Sequence, residues 1–144
     1  MVRLPRLRAR LKSAGAGFVD GSFNLLGYVA GLAAYKEGDA WLKHLLRYLQ
    51  ANRDLVVSFV RDNLPGIDTF EPQGTYLVWL DCREAGMGDV PADFFLKEAE
   101  VALFRGDLFG EEGKGFARLN FGCPRALLEE ALERMKKALD RFTR

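Results

Sequence analysis

Apolar residues recur at helical spacing along residues 39–63, at Leu42, Leu45, Leu49, Val56 and Phe59, which predicts one long helix opened by Asp39. Asn52 interrupts that stripe, and Pro65-Gly66 ends the segment. TYLVWLD (75–81) is β-branched and aromatic and reads as a strand, followed by a glycine-containing loop over 82–90. Residues 91–100 form a helix with Pro91 at an early position. Val101 to Phe104 reads as a short strand, and 105–115 as a glycine-rich loop. GFARLNFG (115–122) alternates like a strand, with Ala117, Leu119 and Phe121 on the core face and Phe116, Arg118 and Asn120 on the other. A last helix runs from Pro124 to Phe142, with Leu128, Ala131, Met135, Ala138 and Phe142 on one face. Glu129 and Glu130 sit towards its positive end and Lys136 and Lys137 nearer its negative end.

The N-terminal part is patterned differently. Residues 4–14 make a short helix, in which Leu4, Leu7 and Leu11 form an apolar stripe. Arg3, Arg6, Arg8, Arg10 and Lys12 recur at helical spacing on the same segment and read as its solvated face. Residues 14–22 (AGAGFVDGS) form a loop, and Asn24 caps a helix that runs to about Tyr35 and is closed by Gly38. That helix is rich in Gly and Ala (Gly27, Ala30, Gly31, Ala33, Ala34), so its intrinsic propensity is weak and it needs a close packing partner. The order from residue 39 onward, helix, strand, helix, strand, strand, helix, predicts an α+β fold: a small, mostly antiparallel sheet covered by helices and preceded by one or two more.

Composition narrows the function. A chain of 144 residues with a net charge of +1 has the size of one domain and lacks the basic excess of a nucleic-acid binder. No apolar run is long enough to cross a membrane, and the longest, Phe23 to Tyr35, is broken by Asn24 and glycines. The polar leader, Asp20 and Asn24 argue against a signal peptide, and a cytoplasmic location is expected. Cys82 and Cys123 are expected to be buried free thiols. A single histidine, His44, excludes an HExxH zinc site and, with only two cysteines, a zinc finger; it reads as a helix-surface residue, and no GxSxG elbow is present.

Arg118 is the residue that needs an explanation. A guanidinium on a strand is expensive to desolvate unless paired, and its planar fork matches a carboxylate. Two partners are open: Asp81, at the end of TYLVWLD, if the two strands are neighbours, or the carboxylate of a small-molecule ligand. The turn before the strand, Phe109-Gly110-Glu111-Glu112-Gly113-Lys114-Gly115, has glycines that allow close approach of a ligand. It leads into a strand and carries two carboxylates, which disfavours a phosphate cradle.

Three segments, GTYLVWLDCR (74–83), GDLFGEEGKGFARLNFGCPR (106–125) and NLLGYVAGLAAYKEGDAWLKHLLRYLQANRD (24–54), together resemble the class I/II pyridoxal-phosphate aminotransferases, and most closely their cystathionine β-lyase-like C–S lyase branch. The resemblance implies the small C-terminal domain of a fold-type I enzyme over 39–144, with 1–38 resembling the end of the large domain. It implies that Arg118 binds the α-carboxylate of an amino-acid substrate. Phe109, Gly110, Asn120 and, near a dimer interface and cofactor pocket, Asn24 become candidate site-lining residues, whereas Trp79 and Asp81 match a strand that is structural. The family also needs a lysine to form a Schiff base with pyridoxal phosphate. None of Lys12, Lys36, Lys43, Lys97, Lys114, Lys136 and Lys137 stands in a matching context, and Lys114, the nearest to the site, is expected to be solvated. The expectation is therefore a chain that binds no cofactor alone and is inactive until completed by a large domain; the alternative is a non-catalytic module that binds a carboxylate or a protein. Self-association through the N-terminal helices is expected in either case.

Overall fold

The computed structural model describes residues 5–14 and 24–143; Arg3, Leu4, residues 15–22 of the expected loop, and the side chains of Arg8, Leu11 and Lys12 lie outside that description. The chain divides into two compact units, Met1–Leu42 and Lys43–Arg144.

The first unit holds helix α1 (Pro5–Ala14) and helix α2 (Leu25–Glu37). Asn24 starts α2 as expected: its side-chain oxygen accepts a hydrogen bond from the Gly27 N–H at 2.6 Å. At the other end Gly38 donates to the Ala34 carbonyl at 2.9 Å, and a side chain on Gly38 would collide with that same oxygen. None of the residues of α2 is buried.

The second unit takes helix α3 (Asp39–Asn63) from Lys43 onward. It continues with strand β1 (Leu77–Asp81), helix α4 (Pro91–Ala99), strand β2 (Phe104–Arg105), strand β3 (Phe116–Asn120) and helix α5 (Arg125–Phe142). The three strands form one antiparallel sheet in the order β1-β3-β2, so the strand carrying Arg118 is central. Its alternation is as the sequence predicts: Ala117, Leu119 and Phe121 are buried, and Val78 and Leu80 of β1 stand opposite Leu119 and Ala117 on the same side. Val56 and Val60 of α3, Phe95 of α4, and Leu128, Leu132, Met135 and Leu139 of α5 complete this core.

Several boundaries differ from expectation for local reasons. β1 starts at Leu77 because Thr75 adopts a positive φ of 65° and its hydroxyl accepts from the Leu77 N–H at 3.3 Å. The short strand begins at Phe104 rather than Val101, because the Val101 N–H is spent on the Phe95 carbonyl (3.1 Å) where α4 ends. In α5 the buried stripe includes Leu132 and Leu139, while Phe142 is half-exposed and meets the ring of Phe94 at 5.0 Å. Asn52 does not interrupt the α3 core face but lies in it, fully buried; Leu42 is exposed. Of the two free thiols Cys82 is buried and Cys123 only partly so.

Candidate functional site

The outer face of the sheet carries the site. Register places Trp79 of β1 and Phe104 of β2 on either side of Arg118. The guanidinium carbon of Arg118 lies 4.6 Å from the Phe104 ring centroid and 4.8 Å from that of Phe109. Both distances are within the range of a cation–π contact. Phe109 also meets Trp79 edge-on at 5.2 Å, and Trp79 meets Phe116 at 6.1 Å. Trp79, expected to be structural, is thus part of the aromatic surface around Arg118.

Among the described residues no carboxylate pairs with Arg118. The internal partner considered from the sequence, Asp81, stands opposite Phe116 and is engaged by Arg83 at 2.6 Å. That hydrogen-bonded pairing holds the Asp81 carboxyl below its ordinary range. Arg105 is likewise committed, to Asp107 at 2.7 Å and to Asp93 at 3.7 Å, and Asp107 is lowered by its hydrogen bond to Arg105. Thus Arg83, over Phe116 on Arg118's face, and Arg105, opposite Ala117 on the other, have acids of their own, whereas Arg118 faces aromatic rings.

The glycine-rich segment is more ordered than a plain loop. It contains two 3-10 turns, Asp107–Phe109 and Glu111–Gly113, joined by Gly110 at φ 124°, a conformation that favours glycine. Gly106 and Gly113 approach so closely that a side chain on either would strike the other's backbone carbonyl. This contact and the Arg105–Asp107 pair fix the first turn and with it the ring of Phe109. The ammonium of Lys114 is bound by Glu111, with Asp89 at 4.0 Å, instead of being simply solvated.

Asn120 lies on Arg118's face at the end of β3, where its side-chain oxygen accepts from the Gly122 N–H at 2.8 Å. Asn24 belongs to the first unit, where its side chain serves as the α2 cap. Two residues that sequence reasoning did not select also hold the segment that follows β3. The Asn52 amide donates to the carbonyls of Phe121 (2.9 Å) and Cys123 (3.0 Å). The Tyr48 hydroxyl, one turn earlier on α3, accepts from the Arg125 N–H at 2.6 Å and donates to Cys123 at 3.3 Å. The available signal was a polar pair at i, i+4 on a helix face otherwise apolar.

The arrangement can accept a carboxylate on an arginine held between rings. Its residues do not by themselves fit pyridoxal phosphate. A Schiff-base lysine needs a lowered pKa. The lysine of the neighbouring turn, Lys114, is instead raised, first by its hydrogen bond to Glu111, and Lys136 is raised by Asp140. Nor does an acid suited to a pyridinium nitrogen stand free beside Arg118, since Asp81 and Asp107 are occupied by arginines.

The model of the family "Aminotransferase class I and II" matches residues 9–135. Cystathionine beta-lyase PatB of Bacillus subtilis is 37% identical over 120 residues, which cover 83% of this chain and 31% of PatB. The crystal structure of cystalysin from Treponema denticola, which contains a pyridoxal 5'-phosphate cofactor, superposes with a TM-score of 0.87 at 31% identity, covering 99% of this chain and 36% of that one. The crystal structure of OvoB gives a TM-score of 0.82 at 44% identity, covering 94% of this chain and 34% of that one. The chain therefore spans about a third of the length of the relatives it matches.

Proposed function

The chain belongs to the class I and II aminotransferase family, and from that premise we propose that it is the small domain of a pyridoxal-phosphate-dependent aminotransferase or C–S lyase, in which Arg118 binds the α-carboxylate of an amino-acid substrate. The observation that carries this reading is the pairing pattern of the arginines around β3. Arg83 and Arg105 are neutralised by Asp81 and Asp107, while Arg118, central in the sheet, has no acid among the described residues. A ligand carboxylate supplies the missing charge in the geometry that a guanidinium fork favours. Asn120, Phe109 and Gly110 border that position. In this reading the cofactor and its lysine come from a large domain, and the chain alone neither holds pyridoxal phosphate nor turns over substrate.

The reading is tested by complementation. The purified chain is mixed with pyridoxal phosphate and then co-expressed with a polypeptide carrying the cofactor domain of a C–S lyase. Alone, it should give no borohydride-trapped lysine adduct; co-expressed, it should restore transamination or β-elimination. Arg118→Lys should then raise KM by roughly 30- to 150-fold, the worth of one charge-assisted bidentate contact. An unchanged KM would remove Arg118 from the substrate site, and failure to restore activity would leave a non-catalytic carboxylate-binding or interaction module.

A further inference from the structure

The two phenylalanines around Arg118 come from different elements, Phe104 from β2 and Phe109 from the 3-10 turn after it. Their rings lie 5.7 Å apart at 54°, forming an open wedge, and the guanidinium carbon sits under 5 Å from both. Each phenylalanine is about half exposed (49% and 53%), so neither is there to fill the core. Rings placed against a guanidinium face offset part of its lost hydration and leave its N–H edge free to donate. The wedge is itself braced: Trp79 packs edge-on against Phe109, the Arg105–Asp107 pair anchors the turn, and the Gly106–Gly113 contact prevents the turn from lifting.

We propose that Phe104 and Phe109 are positioning residues, a two-ring clamp that holds the Arg118 guanidinium with its donor edge presented to a carboxylate. The inference rests on the assignment of Arg118 as the carboxylate-binding residue. It explains why an arginine without an acidic partner keeps a fixed place on an open sheet face.

The test uses the whole chain and acetate as the probe, followed by NMR at the Arg118 Nε–H resonance. In the parent that resonance should be shifted upfield by the rings and should respond to acetate. Phe109→Leu and Phe104→Leu keep an apolar side chain but remove the π face. Each should lose its part of the upfield shift and weaken acetate binding by about two- to fivefold. Phe109→Tyr should restore both, which a purely structural role of that side chain would not require. Should the leucine variants bind acetate like the parent while Arg118→Lys does not, the clamp is wrong and the carboxylate site stands. If Arg118→Lys also binds like the parent, the site assignment fails and the clamp with it.

Discussion

At the residue scale, two neighbouring groups at one strand end are shifted in opposite directions. Asp81 is lowered by Arg83, and the thiol beside it, Cys82, is pushed up to about 12, first by burial and then by the Asp81 charge. Cys123 is raised as well, by burial alone, but it is only partly covered. The nucleophile is the thiolate, so both should react slowly with an alkylating agent at pH 8, Cys82 not at all until the chain unfolds. Mass spectrometry of chain pulsed with iodoacetamide checks this; native labelling of Cys82 at the rate of Cys123 would contradict its environment. The raised pKa also has a sign in stability. The folded state holds the Cys82 proton more tightly than the unfolded chain, so its contribution is full below about pH 8.5 and is lost as pH rises towards 12. Compared with Cys82→Ala, the parent should lose up to about 1.4 kcal/mol more per pH unit across that window in urea titrations.

At the element scale, the site depends on how closely the turn after β2 can sit on β3. A methyl group on Gly113 would strike the Gly106 carbonyl, so Gly113→Ala must move the turn and the Phe109 ring with it. The expected outcome is a loss of about 1–3 kcal/mol in denaturant unfolding together with loss of the Arg118 upfield shift. Gly31→Ala is the contrast. It lies inside α2 with nothing within 4 Å of the added carbon, and it should stabilise that helix by about 1 kcal/mol, read as raised helicity by circular dichroism. The same scale shows what the sequence made legible. Alternation sorted Phe116, Arg118 and Asn120 from Ala117, Leu119 and Phe121 because a two-residue period needs no knowledge of partners. Asn52 was misread as a break in a stripe because the carbonyls it satisfies, those of Phe121 and Cys123, are about seventy residues away. Asp81 was a plausible partner for Arg118 until the register put it opposite Phe116, two pairs along, and gave it to Arg83. The place of Phe104 beside Arg118 depends on where β2 starts, and that is set by how α4 ends, which periodicity does not resolve.

At the scale of the whole molecule, the first unit poses a problem of exposed apolar surface. α2 is apolar on every side, and Leu25, Leu26, Tyr28, Val29 and Tyr35 are all exposed, as are Trp41 and Leu42 at the start of α3. A helix apolar all round is normally a covered one. The relatives are about three times as long as this chain, so in them further polypeptide is available to cover the equivalent surface. Contiguous apolar patches of this kind seldom persist on a monomer. The chain by itself should therefore self-associate in a concentration-dependent way, with a weight-average sedimentation coefficient that rises with loading. Leu26→Glu combined with Tyr35→Glu adds two charges to this surface without touching the core of the second unit, and should shift the distribution towards monomer. A parent that sediments as a monomer at every concentration would show that this surface tolerates water, and the sequence-based expectation of an oligomer would fall. If instead association disappears in the double variant while acetate still perturbs Arg118, the two units act separately: one carries the carboxylate site, and the other carries the contact surface.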